Sequence, residues 1–310
     1  MVYRTLSVPL QRKAIEELNE DPPMIDECLL GIREWIEKQP HLKVKSDDEL
    51  LLVFLRGCKW SLERVKEKLD HFYTVRTLIP EFFSDRDPLS EDIQTFLNRG
   101  VMLPLLNTNG SDGPRICYFN YECVDLNLPT IIIPKYFFMV LDALLEEDDH
   151  LIVSGIEIII NMKGLPASYL MRFTPTVIMQ SIHCLQSAYP LRVKRIVLIN
   201  AMPAIEKVFS AIFMPFFGKK IRDRIHVLST KNIEEAYKYI PKSSFPEELG
   251  GANGSCVKLT EKWKNKIENK RQYFLEEEMY RNNELIRQGE PKTTSEVFGV
   301  VGSFRKLSVD

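Results

Sequence analysis

The chain has 310 residues, which is long enough for one large domain or two smaller ones. Its 41 Lys and Arg residues and 43 Asp and Glu residues give a net charge of −2 at pH 7, so the overall charge directs it to neither nucleic acid nor a membrane. Six cysteines without a C-x-x-C pair exclude the usual zinc and disulfide frameworks. No apolar run approaches the ~18–20 residues of a membrane span, and the N-terminus lacks a signal-peptide pattern, so we expect a cytoplasmic protein.

Residues 24 to about 83 carry the pattern of three short amphipathic helices. Apolar side chains recur at helical intervals in the first, Ser46 and Glu49 match a capping box for the second, and Ser61 precedes the third. Helices of this length usually pack together as a small bundle. By itself such a bundle indicates no activity.

From about residue 88 the pattern changes to alternating strands and helices. We predict strands at residues 115–124, 155–162, 193–200 and around 225–228, with helices between them at 135–145, 174–187 and 203–217. This order implies right-handed crossovers and a mainly parallel sheet. We therefore expect an N-terminal helical domain at residues 1–87, an α/β domain at 88–254, and a charged C-terminal helix and tail at 255–310.

Residues 189 to 226 combine a wide apolar helix face with concentrated positive charge. Apolar side chains from Ile205 to Phe217 fall on one helix face, and Pro215 is expected to interrupt that helix because it lacks an N–H. Eight Lys and Arg residues in this stretch face only Glu206 and Asp223 as acidic neighbours. The pattern fits a lid that covers an apolar cavity and meets an anionic surface, or an ordinary amphipathic helix packed on a sheet.

The sequence contains no pattern for nucleotide binding or catalysis. No Gly-rich phosphate loop or G-x-S-x-G elbow follows a strand, and the histidines lack metal-ligand spacing. His183 and Cys184 are neighbours on a helix and point ~100° apart, so they cannot act as base and nucleophile. The basic cluster has no interleaved aromatic residues for stacking bases. We expect neither an enzyme nor a nucleic-acid-binding protein.

Four segments in order, GIEIIINMKGL, YPLRVKRIVLIN, FSAIFMPFFGKKIRDRIHV and SFPEELGG, resemble the signatures of the CRAL-TRIO lipid-binding domain. The helices that include FLRGCKWSLERV resemble its N-terminal three-helix companion, so the resemblance covers roughly residues 26 to 251. It is strongest to the branch that contains the alpha-tocopherol transfer protein and cellular retinaldehyde-binding protein. The segments ELNEDPP, REWIEKQPHL and GSFRKLSVD resemble the insect members of that branch.

The resemblance implies a cytosolic carrier that encloses one hydrophobic molecule between a sheet floor and a mobile lid helix at residues 203–217. The lid would open at membranes. We expect roughly half of the candidate lipid-binding residues to contact ligand, because core and pocket residues share one composition. By resemblance, these candidates are Tyr118, Phe138, Met139, Ile156, Ile158, Ile160, Ser181, Cys184, Leu185, Val193, Ile196, Phe209, Ile212, Phe213 and Phe216.

The resemblance also implies a phosphoinositide site on the surface. The matching positions are Arg192, Lys194, Lys220 and Arg224. One arginine of the family pattern is replaced here by Cys58, and Lys59 could substitute for it from the next position.

Three functions remain open at this point. The first is a monomeric, cofactor-free transfer protein for an isoprenoid-like lipid such as a tocopherol, retinoid or carotenoid. The second is an exchanger of phosphatidylinositol and phosphatidylcholine, which would need buried polar groups where the pocket candidates offer only Ser181 and Tyr118. The third is a non-catalytic scaffold that uses the charged residues 258–288 as a partner site.

Overall fold

The computed structural model describes residues 3–229 and 233–299, and its N-terminal part is helical. The helices there are α1 (Val8–Leu18), α2 (Ile25–Glu37), α3 (Asp48–Gly57), α4 (Leu62–Leu78), α5 (Pro80–Phe83) and α6 (Glu91–Arg99). Helices α2, α3 and α4 are the three that the sequence predicts. Helix α1 was not predicted, and its buried Leu10, Ala14 and Leu18 pack against Val153. The predicted capping box of α3 is wrong, because the helix begins one residue later and the Asp47 side chain accepts from the Leu50 N–H at 3.0 Å.

The α/β part is built on one five-stranded sheet with the order β1-β2-β3-β4-β5. Its strands are β1 (Met102–Pro104), β2 (Arg115–Asn120), β3 (Ile156–Asn161), β4 (Val193–Ala201) and β5 (Ile225–Ser229). Strand β1 pairs antiparallel with β2, and all the other pairs are parallel. The prediction of a mainly parallel sheet is confirmed. Central strand β3 is buried almost throughout because helices cover both faces of the sheet.

The helices that follow the strands are α7 (Ile132–Leu145), α8 (Asp149–Ser154), α9 (Ala167–Leu170), α10 (Pro175–His183), α11 (Pro203–Ile212) and α12 (Lys219–Arg222). Thr174 caps α10 by accepting from the Val177 N–H at 3.3 Å. A π-helical segment, Cys184–Ala188, continues α10. Helix α11 ends at Ile212 and gives way to a 3₁₀ turn, Met214–Phe216, as expected from the missing N–H of Pro215.

The C-terminal part returns to the N-terminal helices. It comprises α13 (Cys256–Asn269), α14 (Arg271–Glu277), a 3₁₀ turn at Glu284–Ile286 and α15 (Thr294–Phe298). Asp70 of α4 anchors this part, because its carboxylate accepts hydrogen bonds from Arg287 at 2.8 and 2.9 Å and from Lys292 at 2.6 Å. We call residues 282–298 the C-terminal strap. The segment GSFRKLSVD that resembles insect members lies outside the described residues.

A buried ionic network joins the N-terminal helices, the α/β part and α14. The Asp142 carboxylate of α7 accepts hydrogen bonds from Arg76 at 2.8 Å, from Arg86 at 2.6 Å and from the Tyr189 hydroxyl at 2.6 Å. The Glu277 carboxylate of α14 forms ion pairs with the same two guanidinium groups at 3.3 and 3.1 Å. Burial alone would raise the pKa of Asp142, but the two arginines outweigh it and hold that pKa below its usual range. The three parts therefore share one set of buried charges.

Candidate lipid pocket and cationic basin

A cavity of about 170 Å³ lies between the sheet, α7, α10 and the segment after α11. Its lining is almost wholly apolar and aromatic, as is usual for sites that take small apolar molecules. The lining residues are Phe119, Tyr121, Ile133, Pro134, Phe137, Phe138, Ile158, Ile160, Phe173, Ile178, Ser181, Ile182, Leu185, Ile196, Phe213 and Phe217.

The floor of the cavity is one face of the three central strands. Phe119 pairs in register with Ile160, and Ile158 pairs with Ile196, so these four side chains form a continuous surface. Side chains alternate between the two faces of a sheet along each strand. Tyr118 therefore lies on the opposite face, where its hydroxyl accepts a hydrogen bond from the Asn161 side chain at 3.1 Å.

Two helices form the walls. Helix α7 contributes Ile133 and Phe137, which are four residues apart and therefore lie on one helix face. Helix α10 and the π-helical segment contribute Ile178, Ile182 and Leu185 at the same kind of spacing. The walls named here and the floor are therefore built from regular helices and strands.

The roof is the aromatic end of the predicted lid. The Phe213 ring stacks on Phe209 with a centroid distance of 5.3 Å and an interplanar angle of 10°, and it meets the edge of Phe173 at 5.7 Å. Phe217 closes the far side and is buried. The lid is also fastened to the wall, because the Gln186 side chain accepts from the Gly218 N–H at 2.9 Å.

A second, polar cavity of about 710 Å³ lies on the other side of α10, and we call it the cationic basin. Its lining residues are Gly57, Cys58, Lys59, Arg64, Glu67, Lys68, Asp70, His71, His183, Ser187, Pro190, Leu191, Arg192, Lys220 and Lys292. Six of the fifteen are Lys or Arg and two are carboxylates. Of these two, Asp70 is already neutralised by the strap, so the basin favours an anion.

The rim of the basin is a strained turn after α3. A Cβ atom on Gly57 would lie 2.4 Å from the Pro190 carbonyl oxygen, so only glycine allows α3 to approach the start of β4 this closely. Lys59 and Trp60 follow with φ angles of 53° and 59°, which side chains rarely adopt. Strained residues of this kind cluster at functional sites, and this turn directs Lys59 into the basin.

Family models match both halves of the architecture. A model described as the CRAL/TRIO domain matches residues 98–251, and a model described as a Pinta-like UBA domain matches residues 21–93. The chain belongs to the CRAL/TRIO family. Proteins of this family bind and transfer lipids, which agrees with an apolar cavity closed by an aromatic roof.

Named relatives of this CRAL/TRIO protein agree with that assignment. Alpha-tocopherol transfer protein-like of Mus musculus is 29% identical over 81% of this chain and 72% of the relative. The Homo sapiens protein of the same name is 28% identical over 83% and 74%, and clavesin-2 of Rattus norvegicus is 25% identical over 79% and 75%. The crystal structure of Sfh5 superposes with a TM-score of 0.48 at 14% identity, covering 83% of this chain and 92% of that chain.

The CRAL/TRIO cavity includes only part of the candidate lipid-binding set. The candidates that line it are Phe138, Ile158, Ile160, Ser181, Leu185, Ile196 and Phe213. Those outside its lining are Tyr118, Met139, Ile156, Cys184, Val193, Phe209, Ile212 and Phe216.

Five of these eight residues lie outside the lining for three geometric reasons. Tyr118 lies on the wrong face of β2. Ile156 and Val193 pair with each other at the start of their strands, below the cavity. Met139 follows the lining residue Phe138 and Cys184 precedes the lining residue Leu185, and this offset of one residue, a rotation of ~100°, turns both into the core, where they are fully buried.

The basin likewise includes only part of the predicted cationic set. Arg192 and Lys220 line it, together with Lys59, whereas Lys194 and Arg224 do not. The Arg224 guanidinium instead donates to the Val193 carbonyl oxygen.

Arg192 is partly committed to the fold. Its guanidinium donates to the Arg56 carbonyl at 3.0 Å and to the Ile152 carbonyl at 2.6 Å, so it caps the ends of α3 and α8. Burial lowers the pKa of Arg192 to about 10. Within the described residues, Lys59, Arg64 and Lys220 line the basin without a hydrogen bond or ion pair, so these three are the cations best placed to meet an external anion.

The basin also contains a histidine pair that the sequence did not indicate. The Nε2 atoms of His71 on α4 and His183 on α10 lie 2.7 Å apart, so one ring donates to the other. Burial, followed by the neighbouring His183 and Lys292, lowers the pKa of His71 to about 4. The pair links the N-terminal helices to a wall of the lipid pocket across 112 positions of sequence.

The described residues contain no candidate metal centre. Within residues 3–229 and 233–299, no group of three or more His, Cys, Asp or Glu side chains could hold a metal ion. The six cysteines are free, and burial raises the pKa of Cys184 above its ordinary value. In the same part of the chain, no helix combines the length and hydrophobicity that crossing a membrane requires.

Proposed function

We propose that the protein is a cytosolic, monomeric carrier for one small isoprenoid-like lipid, such as a tocopherol, retinoid or carotenoid, and that it exchanges this lipid at phosphoinositide-containing membranes. The observation that carries the proposal is an apolar cavity separated by a single helix from a cationic basin. The name of the relatives, alpha-tocopherol transfer protein-like, supports this class of ligand.

Apolar burial supplies enough driving force without chemistry. A ligand that buries ~300 Å² of apolar surface gains roughly 7 kcal/mol at ~25 cal/mol per Å². The carrier would act without a cofactor and without catalysis. Incubation with a retinyl or tocopheryl ester should therefore return the ester unchanged, as judged by chromatography.

The composition of the cavity favours this ligand class over a phospholipid. An inositol or choline headgroup needs several buried hydrogen-bonding or charged partners, since an unpaired polar group is costly to bury. Tyr121 and Ser181 are the two polar side chains in the lining. Ser181 already donates to the Val177 carbonyl at 2.7 Å.

The basin is the proposed phosphoinositide site, and its position supports coupling to the lid. Helix α10 separates the two cavities, with Ile182 facing the lipid pocket and His183 facing the basin. Lys220 lies on α12, two residues after the Gly218 N–H that fastens the lid to Gln186. An anion in the basin that draws Lys220 toward the other basin cations would strain this fastening and favour the open lid.

The test measures release of bound ligand to vesicles with and without phosphatidylinositol bisphosphate. Wild type should release ligand faster to the phosphoinositide vesicles, and rising salt should erase the difference. The double variant Lys59→Ala/Lys220→Ala should lose this phosphoinositide-dependent increase in release rate. The matched control, Lys258→Ala/Lys262→Ala, removes the same charge from exposed positions on α13 and should keep the increase.

The variant pair Lys194→Ala/Arg224→Ala tests whether the headgroup extends beyond the basin. If the phosphoinositide-dependent increase in release rate persists in Lys59→Ala/Lys220→Ala, the basin is excluded as the headgroup site. Native mass spectrometry of protein loaded from a lipid extract tests the cargo separately. A bound phospholipid in place of an isoprenoid would contradict the proposed ligand class.

A further inference from the structure

The wall of the lipid pocket contains one tyrosine whose hydroxyl is unused. Tyr121 lines the cavity, and its hydroxyl has no hydrogen-bond partner among residues 3–229 and 233–299. The side chain is half-buried, and burial raises the pKa of its hydroxyl above the ordinary value. At every physiological pH this group is therefore a neutral O–H donor.

The backbone holds Tyr121 in this position. Strand β2 ends at Asn120, and Tyr121 begins a 3₁₀ turn, Tyr121–Cys123. The Asn120 side chain accepts from the Glu122 N–H at 3.2 Å and fixes the turn. The Tyr121 ring packs on Phe119 of the pocket floor with a centroid distance of 5.0 Å. The ring is thus pre-positioned and not free to find another partner.

The second polar group of the lining offers only lone pairs to the cavity. The Ser181 hydroxyl donates its hydrogen to the Val177 carbonyl at 2.7 Å. Tyr121 is consequently the one lining side chain, within the described residues, whose donor makes no hydrogen bond. Because this donor has no protein bond to give up, a ligand that supplies an acceptor gains a hydrogen bond in an otherwise apolar cavity.

We propose that Tyr121 determines specificity by donating a hydrogen bond to a single oxygen at one end of the bound lipid. This inference rests on the proposed carrier function and narrows its ligand class. The preferred cargo is an apolar molecule with one terminal hydroxyl or carbonyl oxygen. A pure hydrocarbon of the same shape leaves the Tyr121 hydroxyl unsatisfied and binds less tightly.

The experiment compares retinaldehyde with axerophtene, the hydrocarbon that carries a methyl group in place of the aldehyde. Dissociation constants are measured with the full chain by native mass spectrometry. Wild type should prefer retinaldehyde by about 5- to 10-fold, the contribution of one net hydrogen bond. Tyr121→Phe keeps the ring and should bind both probes equally.

The matched control is Tyr118→Phe. It removes a hydroxyl from the neighbouring strand position on the opposite sheet face, so the preference for retinaldehyde should persist. The infrared carbonyl stretch of bound retinaldehyde provides a readout that requires no folded variant. In wild type it should lie below its position in hexane.

The outcomes distinguish failure of the carrier function from failure of the role of Tyr121. If wild type binds neither probe, the carrier function fails for this ligand class. If wild type binds both probes equally, if Tyr121→Phe keeps the preference, or if the carbonyl stretch is unshifted, the carrier stands and the role of Tyr121 is refuted.

Discussion

The contacts of Phe213 predict how strongly the lid is held closed. Its ring makes two aromatic contacts, one with Phe209 at 5.3 Å and one with Phe173 at 5.7 Å, and lines the cavity. Phe209 belongs to the lid itself, so only the contact with Phe173 holds the lid closed, and replacing Phe213 with alanine removes that contact, worth about 0.5–1.5 kcal/mol. The half-buried ring adds about 1 kcal/mol of lost apolar burial. The closed lid should therefore be destabilised by about 1.5–2.5 kcal/mol.

A loss of this size shifts the closed–open equilibrium at least about tenfold, since 1.4 kcal/mol corresponds to a factor of ten. We expect Phe213→Ala to release bound ligand at least about tenfold faster than wild type. The assay measures transfer of a fluorescent retinoid to vesicles without phosphoinositide, and fluorescence energy transfer detects the release. Circular dichroism checks that the variant remains folded.

Phe216→Ala is the matched control. Phe216 belongs to the same lid and is also half-buried, but it does not line the cavity and makes no ring–ring contact within the described residues. Its release rate should stay within about threefold of wild type, because the contacts that close the cavity remain. Equal acceleration in both variants, or none in either, would refute the assignment of Phe213 as the closing residue.

Three further predictions concern the polar contacts that join the parts of the chain. Asp142→Asn leaves Arg76 and Arg86 without full compensation and should lower the free energy of unfolding by about 3–5 kcal/mol, measured by urea denaturation. Because burial lowers the pKa of His71 from 6.5 to about 4, the unfolded chain binds this proton at higher pH than the folded protein. Stability should therefore fall between pH 6.5 and 4, by about 2 kcal/mol after allowance for partial exposure, and His71→Asn should flatten this slope. Asp70→Asn should loosen the C-terminal strap and speed its cleavage by trypsin, and an unchanged cleavage rate would show that other contacts hold it.

The sheet and the lid were predictable because their signals are local. Continuous apolar runs predicted the buried parallel strands, and Pro215 predicted the interruption after α11. Strand β1 escaped prediction because three residues carry too little pattern and its antiparallel pairing with β2 is decided by contact. Helix α1 was missed because its apolar residues face Val153, which is far away in the sequence.

The site was less predictable than the fold because its residues depend on register and on distant contacts. A strand pattern does not reveal which alternate set faces the cavity, so Tyr118 was chosen where the sheet places Phe119. Tyr121 was hidden inside a segment predicted as continuous strand. The pairing of His71 with His183 becomes visible only when α4 and α10 are brought together.

The buried network around Asp142 has a consequence for how such proteins can be recombined. A fragment cut at residue 87 would retain Asp142 and lose both Arg76 and Arg86, and a fragment cut after residue 254 would lose Glu277. Each cut leaves a buried charge without its counter-ion, which is far more costly than the loss of a surface ion pair. A chimera that exchanges the N-terminal helices between relatives should therefore fold only when the donor helices supply both guanidinium groups. The N-terminal helices, the α/β part and α14 are thus expected to be exchangeable only as one set.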